Sequence, residues 1–175
     1  MIINNVAGMF AQAGATDESL RLARIHRNVV GNINDPSMQF FTGMLCARVH
    51  FLAGDYPTAL HCADEARRIQ GAPVEYLTRM LAYRVHALAR LGQGEEARAA
   101  MQELRRMAAE RGDPGLNERL DLIEPEVLNA EGRYAEAFAA MLRAHEGSDR
   151  LQMTRFNAGV RELRATMECE VAQAE

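Results

Sequence analysis

Residues 50–60 read HFLAGDYPTAL: an apolar run reaches a glycine, and a small residue follows five positions later. The same arrangement recurs as FAQAGATDESL (10–20), LARLGQGEEAR (88–98) and LNAEGRYAEAF (128–138). The glycines, Gly14, Gly54, Gly92 and Gly132, lie 40, 38 and 40 residues apart, and the small residues are Ser19, Ala59, Ala97 and Ala137. Self-similarity at such a period marks an array of stacked supersecondary units.

The unit can be read physically. Before each glycine, apolar residues recur at steps of three and four, as in Leu77, Met80, Leu81, Val85 and Leu88, which predicts a helix. Glycine can end that helix in the left-handed conformation without a side-chain clash. A second helix then begins, and its small Ser or Ala allows close approach to the first. Tyr56 and Tyr134, two residues after their glycines, can pack across the turn. Breakers separate the units: Asn34-Asp35-Pro36, Gly71-Ala72-Pro73 and Gly112-Asp113-Pro114-Gly115. No segment alternates like a strand. Nine helices are predicted, roughly at 2–13, 16–31, 37–53, 56–70, 74–91, 94–111, 116–131, 134–146 and 149–173.

The turns AGDYPTAL and EGRYAEAF resemble the Gly-x-Tyr-x-x-Ala turn of the tetratricopeptide repeat (TPR) family, over about 15–147. The first and third units depart from it, with Thr16 and Gly94 where tyrosine is common. The spacing exceeds the ~34 residues usual for that family, so the chain resembles longer-helix variants; HEAT-like repeats match the length but not the glycine turn. The resemblance implies an all-α, right-handed superhelix of about four antiparallel helix pairs over 1–147. A capping or coiled-coil connecting helix would follow at 148–175.

Composition narrows the function classes. The chain has 175 residues, nearly half of them hydrophobic and a quarter charged, and a net charge of −4. This profile fits a soluble globular domain with no general attraction to nucleic acid. All twenty basic residues are arginine, which excludes lysine Schiff-base and phosphate-loop lysine chemistry. No apolar run approaches the ~20 residues of a membrane span, and MIINNVAGMF lacks a basic leader and a cleavage site. Cys46, Cys62 and Cys169 form an odd, scattered set without CxxC, which points to a reducing cytoplasm rather than a disulfide framework.

Both ends are apolar. The opening pattern Ile2, Ile3, Val6, Met9 and Phe10 has no polar cap, as expected of a slice of a longer protein or of a helix packed on a partner. Near the other end Phe156, Val160, Leu163, Met167, Val171 and Ala174 recur at steps of four, three, four, four and three, the pattern of a dimer seam. The stretch 144–175 resembles the connecting helix after TPR arrays in bacterial signalling proteins that carry a GGDEF diguanylate cyclase or a histidine kinase. His145, Asp149, Leu151, Leu163, Met167 and Glu170 fall on that pattern. No GGDEF sequence is present, so the resemblance implies the sensory or dimerising half of such a protein, able to form a homodimer through this helix. A cap laid over the last repeat is the other reading.

Catalytic chemistry finds no support. Cys46 and His50 share a helix face, and His61-Cys62 lie on the next helix. Adjacent helical residues point apart, however, so the four ligands of a structural zinc site are not assembled. Those residues read as core or surface filler. No GxSxG, phosphate loop, GxGxxG or HExxH occurs, and no carboxylate pair stands out. The expectation is a non-enzyme without cofactor or metal. Met9, Met44, Met80, Met101, Met107 and Met141 fall on apolar faces, as core filling or as an adaptable binding surface.

The working surface implied by the resemblance is the concave wall lined by the first helix of each unit. The family register directs Asn4, Asn5, Arg48, Arg79, Tyr83, His86, Arg90, Arg119, Glu126 and Asn129 toward it. Its four arginines suit an acidic peptide or protein, or a small anionic ligand; solvated or Glu-paired arginines are the alternative. The lysines of the chaperone-type carboxylate clamp are absent.

Overall fold

Among the described residues the chain forms eight helices and no strand. They are α1 (Ile2–Gln12), α2 (Thr16–Val30), α3 (Pro36–Leu52), α4 (Tyr56–Arg67), α5 (Val74–Arg90), α6 (Gly94–Arg111), α7 (Pro114–Ala130) and α8 (Tyr134–Ala174). The computed structural model describes the backbone of all residues except Met1, Asn32, Asn34, Ala72, Pro73, Asp113 and Glu175. The side chains of Ile2, Asn4, Val74, Glu75, Pro114, Gly115, Glu118, Leu151, Arg155, Ala158, Val160 and 162–174 also lie outside the described set. The fold is all-α, and no helix is long and apolar enough to cross a membrane.

Local chemistry explains the joints. Gly14, Gly54, Gly92 and Gly132 have φ of +78°, +79°, +74° and +74°, a region that side-chain-bearing residues rarely adopt. At each one the next residue's N–H reaches back five positions: Ala15 to Phe10 O, Asp55 to His50 O, Gln93 to Leu88 O and Arg133 to Leu128 O. The glycine N–H itself bonds three back, so all four turns close in the Schellman pattern that satisfies the last carbonyls of a helix. Ser19, Ala59, Ala97 and Ala137 then make the first hydrogen bond of the following helix, to residues 15, 55, 93 and 133. All four are buried, and the Ser19 hydroxyl donates to Ala7 O at 2.7 Å. Helix starts carry caps where the sequence supplies them. Asp35 accepts from Ser37 N and Met38 N ahead of α3, and Asp55 accepts from Thr58 N at the head of α4.

The predicted break at 147–148 is absent: the eighth and ninth expected helices are one, the 41-residue α8. Gly147 does not take the left-handed conformation that would terminate a helix. A lone interior glycine costs only about 1 kcal/mol, and the good helix formers Arg150, Leu151 and Gln152 resume soon after it with no proline following.

Sequential helices pack as antiparallel hairpins, α1 with α2, α3 with α4, α5 with α6 and α7 with α8. Each odd helix also touches the next odd helix, whereas among the described residues no two even helices make such backbone contact. The result is two rows, one continuous and one splayed. Phe40, Met80, Leu81, Val85, Leu104, Leu120 and Ile123 are fully buried between them. Ala7, Leu45 and Val49 form a smaller core under the first unit, and Leu128, Ala137 and Ala140 form another under the last. Close approach needs small residues at the contacts: a Cβ on Gly43 would lie 2.7 Å from Ala66 Cβ.

Candidate functional site

The continuous row aligns equivalent positions of successive units. Gly8, Arg48, His86 and Glu126 all stand six residues before a turn glycine, and they meet in pairs. The Arg48 guanidinium lies where a Cβ on Gly8 would sit, at 2.2 Å from Nη1, and Arg48 Nη2 donates to Gly8 O at 3.4 Å. Its Nε is buried without a hydrogen-bond partner among the described residues. His86 Nδ1 lies 2.8 Å from Glu126 Oε2, and Arg90 Nη2, one turn further along α5, donates to Glu126 Oε1 at 2.7 Å.

Around this pair the side chains form a band near the glycine turns. Phe51 of α3 stands 5.8 Å from the Tyr83 ring, 5.2 Å from His86 and 5.5 Å from Tyr56, centroid to centroid. Such tilted aromatic pairs add modest directional energy to the area they bury. Beyond Glu126 the band opens into a cavity of about 350 Å³ between α5, α7 and α8, lined by Arg90, Glu126, Asn129, Tyr134, Phe138 and Met141. Tyr134, Phe138 and Met141 recur at steps of four and three along α8 and are at least half exposed, at 69%, 59% and 50%. They remain uncovered because, among the described residues, α8 packs only on α7, where an interior helix of the array has neighbours on two sides.

The electrostatics of the band are balanced. Burial alone would raise the Glu126 carboxyl, but hydrogen bonds and charge from His86 and Arg90 outweigh it and hold the group below its ordinary value. The same contact raises Arg90. At the band's edge His50 Nδ1 lies 3.0 Å from Asp55 Oδ2, and Asp55 is lowered chiefly by its hydrogen bonds from Thr58.

The residues expected to line one wall separate into groups. Tyr83, His86, Arg90, Glu126 and Asn129 come together in the band. Arg48 turns to α1, and Arg79 lies over the Tyr76 ring with Cζ 5.8 Å from its centroid. Asn5 and Arg119 are exposed near the starts of α1 and α7, and the Asn4 side chain lies outside the described residues. The expected basic surplus is reduced at Arg90, whose charge Glu126 offsets. Phe51 and Phe138 lie outside that expectation, and no aromatic recurs at either offset from the other turn glycines, so the repeat carries no signal for them. Of the predicted dimer seam, Phe156 is exposed; the side chains of Val160, Leu163, Met167 and Val171 lie outside the described residues.

On the other side of the α7–α8 hairpin, ion pairs connect three helices. Glu131 is held between Arg98 of α6 and Arg133, Arg133 also grips Glu136, and Glu124 pairs with Arg105 at 3.1 Å. The hydrogen bond from Arg98 is the main reason the Glu131 carboxyl is lowered.

The cysteine reading needs correction. Cys46 and Cys62 are neither independent fillers nor the unpaired thiols expected of a reducing compartment: they are joined by a disulfide between α3 and α4, with Cα atoms 5.8 Å apart. Sixteen residues separate them, and antiparallel packing across the Gly54 turn brings their positions level. The neighbouring His61 is exposed, so the two adjacent residues do point apart. No cluster of metal-ligating side chains occurs among the described residues. No protein-family model, curated protein or solved structure matches this chain.

Proposed function

We propose that the chain is a non-catalytic protein-interaction and regulatory module of the TPR-like superhelical kind. The observation that carries this reading is the uncovered apolar face of α8, Tyr134, Phe138 and Met141, beside the His86–Arg90–Glu126 cluster. Contiguous exposed apolar surface rimmed by polar groups is characteristic of interaction sites, and aromatic residues with arginine are the usual anchors there. The repeated glycine turns and the continuous row of odd helices support a solenoid whose surface serves binding.

The long α8 and the resemblance of 144–175 to connecting helices support the narrower reading. In it the module is the sensory TPR region of a larger bacterial signalling protein, working in the cytoplasm and pairing with a second copy through that helix. A small-anion sensor has less support, because Arg90 is already neutralised by Glu126.

The test is photo-crosslinking in cells from a benzophenone amino acid replacing Phe138, with position 106 on exposed α6 as control. Reproducible capture of one protein species, a second copy included, from 138 and not from 106 is expected. Equal or absent capture at both positions would remove the basis for this surface.

A further inference from the structure

The Cys46–Cys62 pair has a neighbour that a purely structural cross-link does not require. Arg27 projects from α2 over the sulfurs, its Nη2 2.7 Å from Cys46 Sγ and 3.9 Å from Cys62 Sγ. Both cysteines are nearly buried, Cys62 the less so, while the rest of Arg27 faces solvent. A guanidinium at hydrogen-bonding distance gains little from a neutral disulfide but much from a thiolate. No other charged group is recorded within hydrogen-bonding reach of either sulfur among the described residues. His26, the adjacent titratable residue on α2, shares a 3.1 Å hydrogen bond with Thr42 Oγ1, and its burial lowers its pKa, keeping it neutral at neutral pH. On α4, His61 faces solvent.

We propose that Cys46 and Cys62 form a reversible thiol–disulfide site in which Arg27 stabilises the Cys46 thiolate. A low-molecular-weight thiol supplies the reducing equivalents. Its thiolate attacks Cys62 Sγ, the sulfur farther from Arg27 and on the slightly less buried residue; the S–S bond breaks and its electron pair passes to Cys46 Sγ, which stays ionised against Arg27. A second thiolate then attacks the external sulfur of the mixed disulfide. The external disulfide departs, and the Cys62 thiolate released takes a proton from water. Two external thiols are thereby oxidised and one protein disulfide reduced. Leaving-group stabilisation of this kind speeds reduction and shifts the equilibrium toward the dithiol.

The experiment uses the full 175-residue chain carrying Cys169→Ser, so that only the pair is read. The protein is equilibrated in buffers of reduced and oxidised glutathione, trapped with maleimide and weighed by mass spectrometry. Arg27→Leu should be reduced about tenfold more slowly and shift toward the disulfide, while Arg27→Lys retains most of the wild-type rate. Equal rates and equilibria for wild type and Arg27→Leu would overturn the proposal, as would failure of excess oxidised glutathione to form the bond. A second measurement guards against misfolding of Arg27→Leu. In Cys62→Ser, with Arg27 intact, iodoacetamide should label Cys46 with a pH midpoint at least about one unit below the ordinary thiol value near 8.5. A midpoint at or above 8.5 would show that Arg27 does not stabilise the thiolate.

Discussion

Three glycines do three different jobs, and substitution can separate them. At Gly54 a Cβ would meet nothing within 4 Å, yet φ is +79°. The cost of Gly54→Ala is therefore purely conformational, about 1–2 kcal/mol by urea unfolding. At Gly43 the backbone is ordinary helix and the cost is steric, because Ala66 Cβ would lie 2.7 Å away; Gly43→Ala should destabilise by about 1–3 kcal/mol through separation of α3 from α4. At Gly147 neither penalty applies. Gly147→Ala should raise stability or helicity by about 0.5–1 kcal/mol, and a loss instead would indicate that residue 147 does not sit in regular helix. The sequence made the first of these legible, since Gly54 recurs with the period. Gly43 carries no such signal, because what it avoids is a side chain 23 residues away.

Among elements, the hairpin was the legible unit and the groove was not. Turn glycines, following small residues and Asp-Pro starts are local features, so seven of the predicted helices agree with observed ones to within three residues at either end. The expected break at 147 has no such local feature behind it: Gly147 is not in the left-handed conformation and no proline follows it. Contacts across the odd helices depend on register between units. Once positions are counted back from each turn glycine, His86 and Glu126 fall at the same offset, and a pairing 40 residues apart becomes readable. Glu126→Ala should then cost more than an ordinary surface substitution, about 1–2 kcal/mol, since it strips His86 and Arg90 of a shared acceptor. Thermal unfolding of Glu126→Ala beside the exposed control Glu110→Ala checks this.

For the molecule as a whole, charge pairing sets the response to acid. Asp55, Glu126, Glu131 and Glu136 are all held below their ordinary values. Each binds its proton less readily folded than unfolded, so its stabilisation is complete above the ordinary carboxylate value, 4.5 for glutamate, and disappears as pH falls through the lower folded values. Melting temperature should begin to fall below pH 6.5, where His26, lowered by burial, binds its proton less readily folded than unfolded, and should decline further below about 5, where Glu126→Gln should shallow the slope. A different consequence follows from the packing of α8, among the described residues, on α7 alone. Forty-one residues of helix extend about 60 Å, more than twice the roughly 25 Å of its 17-residue partner α7. Its far part is thus a pointer with its pivot at one end: a tilt of 5° at the α7–α8 contact would sweep its tip through about 5 Å. Whatever fills the Phe138–Met141 face presses beside that pivot, so a contact of a few side chains could be read out as a movement far from where it is made.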